Sequence, residues 1–390
     1  MRLTRVAVLA CTLLLPLSTG ACASAAPAAD TTPIVIGADL ELTGVNEAIG
    51  TTYRRALQLR IDQLNAAGGV NGRTVTLDAK DNRSDSSLSV ANINAFAGNP
   101  AVAGIVMGAC SRCTSDVAKT IDDKQIPTVT LAPATGLVRP VSDRRYVFKL
   151  GPGAEDSAIV LGGTLHDEGI RTVSLLTTDD VNGTDAISAF TAQAPRFGVT
   201  ITTRHLFRAT DTDVSQPVHA ALAKNPVPAA LVISAFPAQA VLVAKAAHDS
   251  GYDGKLFFDA TAAGDLFLNG ATATATEGAI MVAPQALVID DVVATTPAKT
   301  VRKRWFDDYT SKYGTFSGYS TYAADAVRLI TDAIRISGGT EHTKMQQVME
   351  DSSFDGLSGP VRFTPDNHSG MMSQALTSVI ARSGRWRLLG

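Results

Sequence analysis

The amino-acid sequence predicts an α/β protein built from two doubly wound parallel-sheet lobes joined by a three-stranded hinge. Three observations predict this class. Short apolar strands alternate with amphipathic helices, this alternation breaks once near residues 149–153 and then resumes, and 45% of the 390 residues are hydrophobic. A chain of that length and apolarity can bury more than one core. Strands that alternate with helices are joined by right-handed crossovers, so we expect the strands to be parallel.

The first lobe begins with the strand IVIGADL, residues 34–40. The helix that follows has apolar residues at helical spacing and is expected to stop at the glycine pair 68–69. TVTLDAKD then alternates as a strand. The same pattern recurs as the strand AVAGIVMGA, the helix SRCTSDVAKTIDDKQ and the strand IPTVTLAPA. The stretch DNRSDS, which follows the second strand, is interpreted as a solvated turn.

The second lobe begins after the break at KLGPG. Its predicted elements are the helix AEDSAIVLGGTLHDEG, the strand RTVSLLTT, the helix GTDAISAFTAQAPRFG, the strand VTITTRHLF, a helix over 214–224, a strand over 229–234, a helix over 238–250 and the strand KLFFDA. Runs that are apolar on both faces indicate sheets covered by helices on both sides.

The C-terminal third completes both lobes instead of starting a third one. EGAIMVAP is a predicted strand, helical patterns cover 298–313, 322–336 and 343–350, and GPVRF, ALTSVIA and RWRLL alternate like antiparallel edge strands. The simplest path assigns residues 34–149 and 284–355 to lobe 1, and residues 150–283 and 356–390 to lobe 2. The chain then crosses three times, which forms a hinge with a cleft between the lobes.

The N-terminal segment has the plan of a secretory signal over residues 1–21, with two arginines before a short apolar stretch. That stretch is shorter than the about 20 apolar residues that span a bilayer. Thr19-Gly20-Ala21-Cys22 resembles a bacterial lipobox, so we expect Cys22 to be lipidated and residues 22–33 to form a flexible tether. Ordinary signal cleavage between residues 21 and 29 is the alternative. Either route places the protein outside the cytoplasm, and lipidation would anchor it to the outer face of the cell membrane.

Charge and motifs exclude several classes of function. Removal of residues 1–21 leaves 32 basic and 37 acidic residues, and this mild acidity disfavours nucleic acid as a partner. The six histidines are scattered, and no zinc-protease, nucleophile-elbow or phosphate-loop motif is present. We therefore expect no catalysis, no cofactor and no metal.

Cys110 and Cys113 form a single C-x-x-C motif. Such a motif can be a redox pair, half of a zinc site or a local disulfide. No second pair accompanies it, and a secreted protein matures in an oxidising compartment. A local disulfide is therefore the expected state.

The ends of the third and fourth strands carry candidate ligand-binding groups. Ser111 opens the helix after the third strand, and Ala134 and Thr135 follow the fourth. In open α/β sheets ligands bind beyond the carboxyl ends of the strands, and a helix N-terminus can hold an anion. The alternative is that Ser111 and Thr135 only cap helices. Their occurrence at neighbouring strand ends favours a binding site.

The order and spacing of several segments resemble the type I periplasmic binding proteins of the leucine/isoleucine/valine-binding family, which are extracytoplasmic receptors of ABC importers. These segments are IVIGADLELTG, NAAGGVNGR, GIVMGACSRCTSDVA, IPTVTLAPAT, YVFKLGPG, LLTTDDVNG, SGYDGKLFFDA and EGAIMV. They span residues 34 to about 285, and the later stretch GPVRFTPDNHSG also fits.

The resemblance implies roles for residues of both lobes. Ser111, Ala134 and Thr135 would hold the α-carboxylate and part of the α-ammonium of an amino acid. The second lobe would close over the ligand with two aromatic residues and an acid. The aromatic positions hold Asn182 and Phe236 in this sequence.

The acid that would pair with a ligand ammonium is less well matched. Asp259 lies next to the matching position, which holds Ala260. A buried ammonium without its carboxylate costs about 3 to 5 kcal/mol, so Asp259, Glu41 or Asp180 must serve, or the ligand is of another kind. Each acid has a structural alternative. Asp259 could cap the helix after residue 261, Glu41 could face solvent and Asp180 could open the helix near residue 183, while Phe236 could belong to the core.

The predicted function is capture of a small amino acid, of branched-chain type, or of an amide-like solute by hinge closure. The expected partners are that small molecule, an ABC permease and, through Cys22, the membrane. A sensory receptor of the same fold is the alternative. A monomer is expected.

Overall fold

A computed structural model of the chain describes residues 30–264, 268, 271–293 and 295–390. The predicted signal sequence, Cys22 and most of the predicted tether lie outside the described residues. Within those described ranges, none of the helices combines the length and apolarity needed to cross a bilayer.

The strands and helices alternate over most of the described chain. The strands are β1 Ile34–Leu40, β2 Val75–Asp81, β3 Val102–Met107, β4 Thr128–Thr130, β5 Val147–Lys149, β6 Thr172–Thr178, β7 Thr200–Phe207, β8 Ala230–Ser234, β9 Lys255–Phe258, β10 Ile280–Pro284, β11 Ser353–Asp355, β12 Pro360–Arg362, β13 Leu376–Arg382 and β14 Arg385–Leu388. The α-helices are α1 Glu47–Ala66, α2 Ser86–Ala97, α3 Ser111–Lys124, α4 Ala154–Asp167, α5 Val181–Gln193, α6 Ser215–Leu222, α7 Pro237–Asp249, α8 Ala271–Thr276, α9 Pro297–Tyr313, α10 Tyr319–Ser337 and α11 His342–Glu350.

The first sheet has five parallel strands in the order β2-β1-β3-β4-β5. The residues of β3 alternate between two cores. Ala103 and Val106 pack in one apolar cluster, whereas Ile105 and Met107 pack in the other. The sheet is therefore covered on both faces, as a doubly wound lobe requires.

The second sheet has seven strands in the order β14-β13-β10-β9-β8-β6-β7. Strands β6 to β10 run parallel, and β13 and β14 continue the sheet antiparallel beyond β10. The predicted α/β class with two parallel-sheet lobes is thus confirmed, with the last two strands as the predicted antiparallel addition.

Three helices of the C-terminal third return to the first lobe. α10 packs on α1 and β3, and α11 packs on α10. Gln63 of α1 donates a hydrogen bond of 2.9 Å to Asp308 of α9. The chain thus passes between the two lobes three times, after β5, after β10 and before β13. The exact lobe boundaries at residues 149, 283 and 355 stay a prediction.

Three local expectations differ from the structure. Helix α2 is absent from the predicted elements. GPVRF contributes β12, which pairs with β11 in a separate two-stranded sheet and does not join the edge of the second lobe. The stretch DNRSDS is only partly solvated, because Asn82 is buried beneath the strand ends.

Candidate ligand-binding cleft

The end of β3 is held in place by Glu41, which follows β1 directly. Its carboxylate is fully buried and accepts the backbone N–H groups of Ala109 and Cys110, each at 3.0 Å. Asn82 donates to the same carboxylate at 3.3 Å. The alternative that Glu41 faces solvent is therefore wrong. Burial raises the pKa of Glu41, and the two backbone N–H groups oppose that rise.

Helix α3 begins at the position where this carboxylate fixes the backbone. Cys110 is its N-cap residue and forms a disulfide with Cys113 in the first turn, with 5.2 Å between the two Cα atoms. Ser111 lies between the two bridged residues and is buried. The Ser111 hydroxyl accepts the N–H of Ala134 from the end of β4 at 3.3 Å. The predicted groups at the two neighbouring strand ends are thus in direct contact.

The second lobe meets these groups through helix α5. The Ser111 hydroxyl donates a hydrogen bond to the side-chain oxygen of Asn182. One turn later on the same helix, Asp185 Oδ2 accepts the N–H of Thr135 at 2.8 Å. Four polar residues from both lobes therefore close on one another in the described structure.

Sequence reasoning missed Asp185. Residues three apart on a helix share a face, so the position of Asn182 already implied that residue 185 would point the same way. Asp180, by contrast, caps α5 by accepting the N–H of Gly183 at 2.9 Å. This is the capping role that the sequence left open.

Asp259 is buried at the end of β9 with both carboxylate oxygens engaged. Oδ2 accepts the hydroxyl of Ser234, and Oδ1 accepts the hydroxyl and the N–H of Thr261, the latter at 3.0 Å. Burial raises the pKa of Asp259 to about 6. Asp259 thus caps the short turn at 260–262. Its contact with a ligand stays a prediction.

Phe236 lies at the N-terminus of α7 and is 9% exposed. Its ring packs within the large apolar core that includes both faces of the second sheet. Most of the Phe236 side chain is therefore buried in the core, as the alternative interpretation of the sequence stated. A ligand contact through the remaining edge is untested.

A buried lysine lies where the chain first passes between the lobes. Lys149 is fully buried, and its ammonium donates to the carbonyl of Gly151 at 2.8 Å. Burial lowers the pKa of Lys149 to about 8, and the nearby carboxylates of Asp156 and Asp185 oppose that fall. The sequence offered KLGPG only as a break between lobes, so this charged group beside the cleft was also missed.

A second contact between the lobes comes from α10. The Tyr319 hydroxyl donates to the carbonyl of Thr261, next to Asp259. Its ring meets the edge of the Tyr53 ring from α1 with 6.0 Å between centroids. The two buried rings and this hydrogen bond therefore join α1 and α10 of the first lobe to the turn that follows β9.

The chain is similar to known proteins both in sequence and in fold. The sequence model of a family described as periplasmic binding protein matches residues 33–384. A solved extracellular ligand-binding receptor from Rhodopseudomonas palustris superposes with a TM-score of 0.84 over 91% of this chain and 99% of that chain, at 23% identity.

Two curated relatives are also similar over part of the chain. A chemotactic signal transduction system substrate-binding protein of Halobacterium salinarum is 23% identical over 202 residues, 50% of this chain and 48% of its own length. An amino acid binding protein of Pseudomonas aeruginosa is 25% identical over 170 residues, 43% of this chain and 44% of its own length. The matched segments span about half of each curated relative or less.

Proposed function

The chain belongs to the periplasmic binding protein family, and from this premise we propose that it captures a small solute between its two lobes outside the cytoplasm. The observation that supports the proposal most directly is the meeting of Ser111 and Thr135 with Asn182 and Asp185 across the cleft. These side chains leave one lobe or the other at strand ends, where ligands of open α/β sheets bind. No catalytic step is part of the proposal.

Closure of the hinge provides the grip on the ligand. In an open form the polar groups of both lobes are hydrated, and only the closed form gives a ligand both sets of contacts. A ligand that gains contacts in one form shifts the population toward that form. The closed surface is then the feature that a membrane partner distinguishes from the open one.

The proposed solute is a small amino acid, as in branched-chain binding, or an amide-like compound, and the proposed partner is an ABC permease. The Pseudomonas aeruginosa relative carries the name of an amino acid binding protein. We further propose that the protein is a monomer tethered to the membrane by lipidated Cys22.

A sensory receptor is the second candidate function. The Halobacterium salinarum relative belongs, by its name, to a chemotactic signal transduction system. The same clamshell serves both functions, because a kinase-linked transducer and a permease can each recognise a closed lobe pair. Loss of uptake of the identified ligand in a deletion strain would favour transport, whereas loss of the taxis response with normal uptake would favour sensing.

Thermal-shift screening tests the proposal. The chain from residue 30 onward is screened against amino acids, amides, amines, carboxylates and neutral solutes, and hits are followed by small-angle X-ray scattering. A ligand at about 100 times its Kd adds about 2.7 kcal/mol to the free energy of unfolding. We expect at least one hit that also reduces the radius of gyration. A tight hit that leaves the scattering profile unchanged would contradict capture by closure.

A further inference from the structure

The acidic groups around the cleft differ in whether they remain available to a ligand. Glu41 and Asp259 use both carboxylate oxygens on groups of their own lobe. Asp180 caps its own helix. Asp185 uses only Oδ2, on Thr135, and among the described residues its Oδ1 accepts no hydrogen bond. Of these four acids, Asp185 is therefore the one that faces the opposite lobe with an oxygen still free.

The N–H of Thr135 is already occupied by an anion that belongs to the protein. A ligand carboxylate that sought this N–H would have to displace Asp185 and then lie beside it. Two carboxylates that share a site repel one another, and the repulsion grows as closure removes water. The free oxygen of Asp185, in contrast, offers a ready acceptor to an ammonium or amide N–H group.

The charge balance of the cleft leads to the same conclusion. The ammonium of Lys149 and the carboxylate of Asp156 both lie next to Gly153, at 3.5 and 2.8 Å from the point where a Cβ of that glycine would sit. Lys149 also interacts electrostatically with Asp185. Arg139 and Glu155 form an ion pair with 3.8 Å between Nη1 and Oε2, and both interact electrostatically with this group. The five side chains comprise two cations and three anions, and together carry one negative charge in excess. A monocation would neutralise this set on closure, whereas an anion would double its charge.

We propose that Asp185 is the specificity-determining residue of the cleft and that the ligand is a cationic amine without a free carboxylate. This inference rests on the proposed function, and within its ligand class it replaces free amino acids by amines and amino-acid amides. In the closed complex Asp185 Oδ1 accepts a hydrogen bond from the ligand ammonium, and Oδ2 keeps the N–H of Thr135.

The test compares probes that share a side chain and carry different charges. Leucinamide, leucine and 4-methylpentanoate share one side chain and are a cation, a zwitterion and an anion at neutral pH. Alaninamide, alanine and propanoate form a second matched set, and agmatine and putrescine represent larger amines. Affinities are measured by isothermal titration calorimetry on the wild type, Asp185→Asn and Asp179→Asn. Asp179 is exposed just before helix α5, which carries Asp185, so its variant removes an equal charge outside the cleft.

We expect the tightest probe to be a cation, with its affinity reduced at least about 30-fold by Asp185→Asn and less than about 2-fold by Asp179→Asn. Circular dichroism melting confirms that both variants fold. If a zwitterion or anion binds tightest, or if Asp185→Asn preserves the affinity of the tightest cation, the assignment of Asp185 is overturned while capture by closure still stands. If neither these probes nor the wider solute library binds at all, the proposed function itself fails.

Discussion

Gly108 marks a place where a single added methyl group should disrupt the strand end that carries the cleft. Gly108 follows β3 and is buried. A Cβ built on it would lie 2.3 Å from Glu41 Oε2 and 2.7 Å from Oε1. These distances are far shorter than any carbon–oxygen contact, so Gly108→Ala must move the Glu41 carboxylate. That carboxylate cannot move without releasing the N–H groups of Ala109 and Cys110.

The size of the effect follows from those two released groups. A buried N–H group without an acceptor costs about 1 to 3 kcal/mol, so Gly108→Ala should lower the free energy of unfolding by about 2 to 6 kcal/mol. Domains of this kind are stable by only about 5 to 15 kcal/mol. The variant should therefore fold but unfold at a clearly lower urea concentration, and its ligand affinity should fall because Ser111 follows the disturbed turn.

Urea denaturation of four proteins measures the coupling: the wild type, Gly108→Ala, Glu41→Ala and the double variant. Truncation of Glu41 removes the atoms that the new methyl group would meet. Gly108→Ala should therefore lower the free energy of unfolding only slightly when Glu41→Ala is already present. This gives a coupling free energy of at least about 1.5 kcal/mol between the two substitutions. Equal costs of Gly108→Ala in both backgrounds would refute the reasoning, since the contact between residues 41 and 108 would then not matter.

Three further outcomes are expected. Burial lowers the pKa of Lys149 from 10.5 to about 8, so the free energy of unfolding of the wild type should rise by about 3 kcal/mol as pH rises from 8 to 10.5. In urea titrations at the same pH values, Lys149→Met should lack this rise. Burial raises the pKa of Asp259 from 3.8 to about 6, so the free energy of unfolding of the wild type should fall by about 3 kcal/mol as pH rises through that range. The fall should be smaller in Asp259→Asn, and equal pH slopes in the two proteins would contradict this expectation. Within α4, Gly162→Ala places a Cβ 2.3 Å from the Phe197 ring and should lower Tm, whereas Gly163→Ala meets that ring only at 3.8 Å and should stabilise the helix by about 0.5 to 1 kcal/mol.

Local patterns were enough to predict most of the fold. The strands of both sheets are short apolar runs, and the helices between them show apolar residues at helical spacing. Helix α2 was missed because its inward face is only partly apolar. Ile93 and Phe96 are buried in a core cluster, but Ser89 donates to Asp39 at 2.6 Å, and Asn92 donates to the same carboxylate at 2.7 Å. A helix whose inward face is shared between apolar residues and groups that bind a buried acid shows only a weak apolar stripe.

The residues of the cleft could be predicted only in part from local sequence patterns. Ser111 and Thr135 could be found because strand ends are visible in the sequence. Asp185 and Lys149 could not be assigned, because their roles depend on which groups of the other lobe come within reach. Residues 135 and 185 are fifty positions apart, and only the arrangement of the two lobes in the folded chain brings them together.

The placement of β13 beside β10 has a consequence for how the protein is made. Strand β10 ends at residue 284, but its neighbour on one side is supplied only by residues 376–382. The segment that completes this side of the sheet thus lies about ninety residues later in the chain, and until it folds the sheet presents an unpaired, apolar border. Such a border readily pairs with other chains. A chain that ends before residue 376 should therefore be prone to aggregate, because this border would stay open.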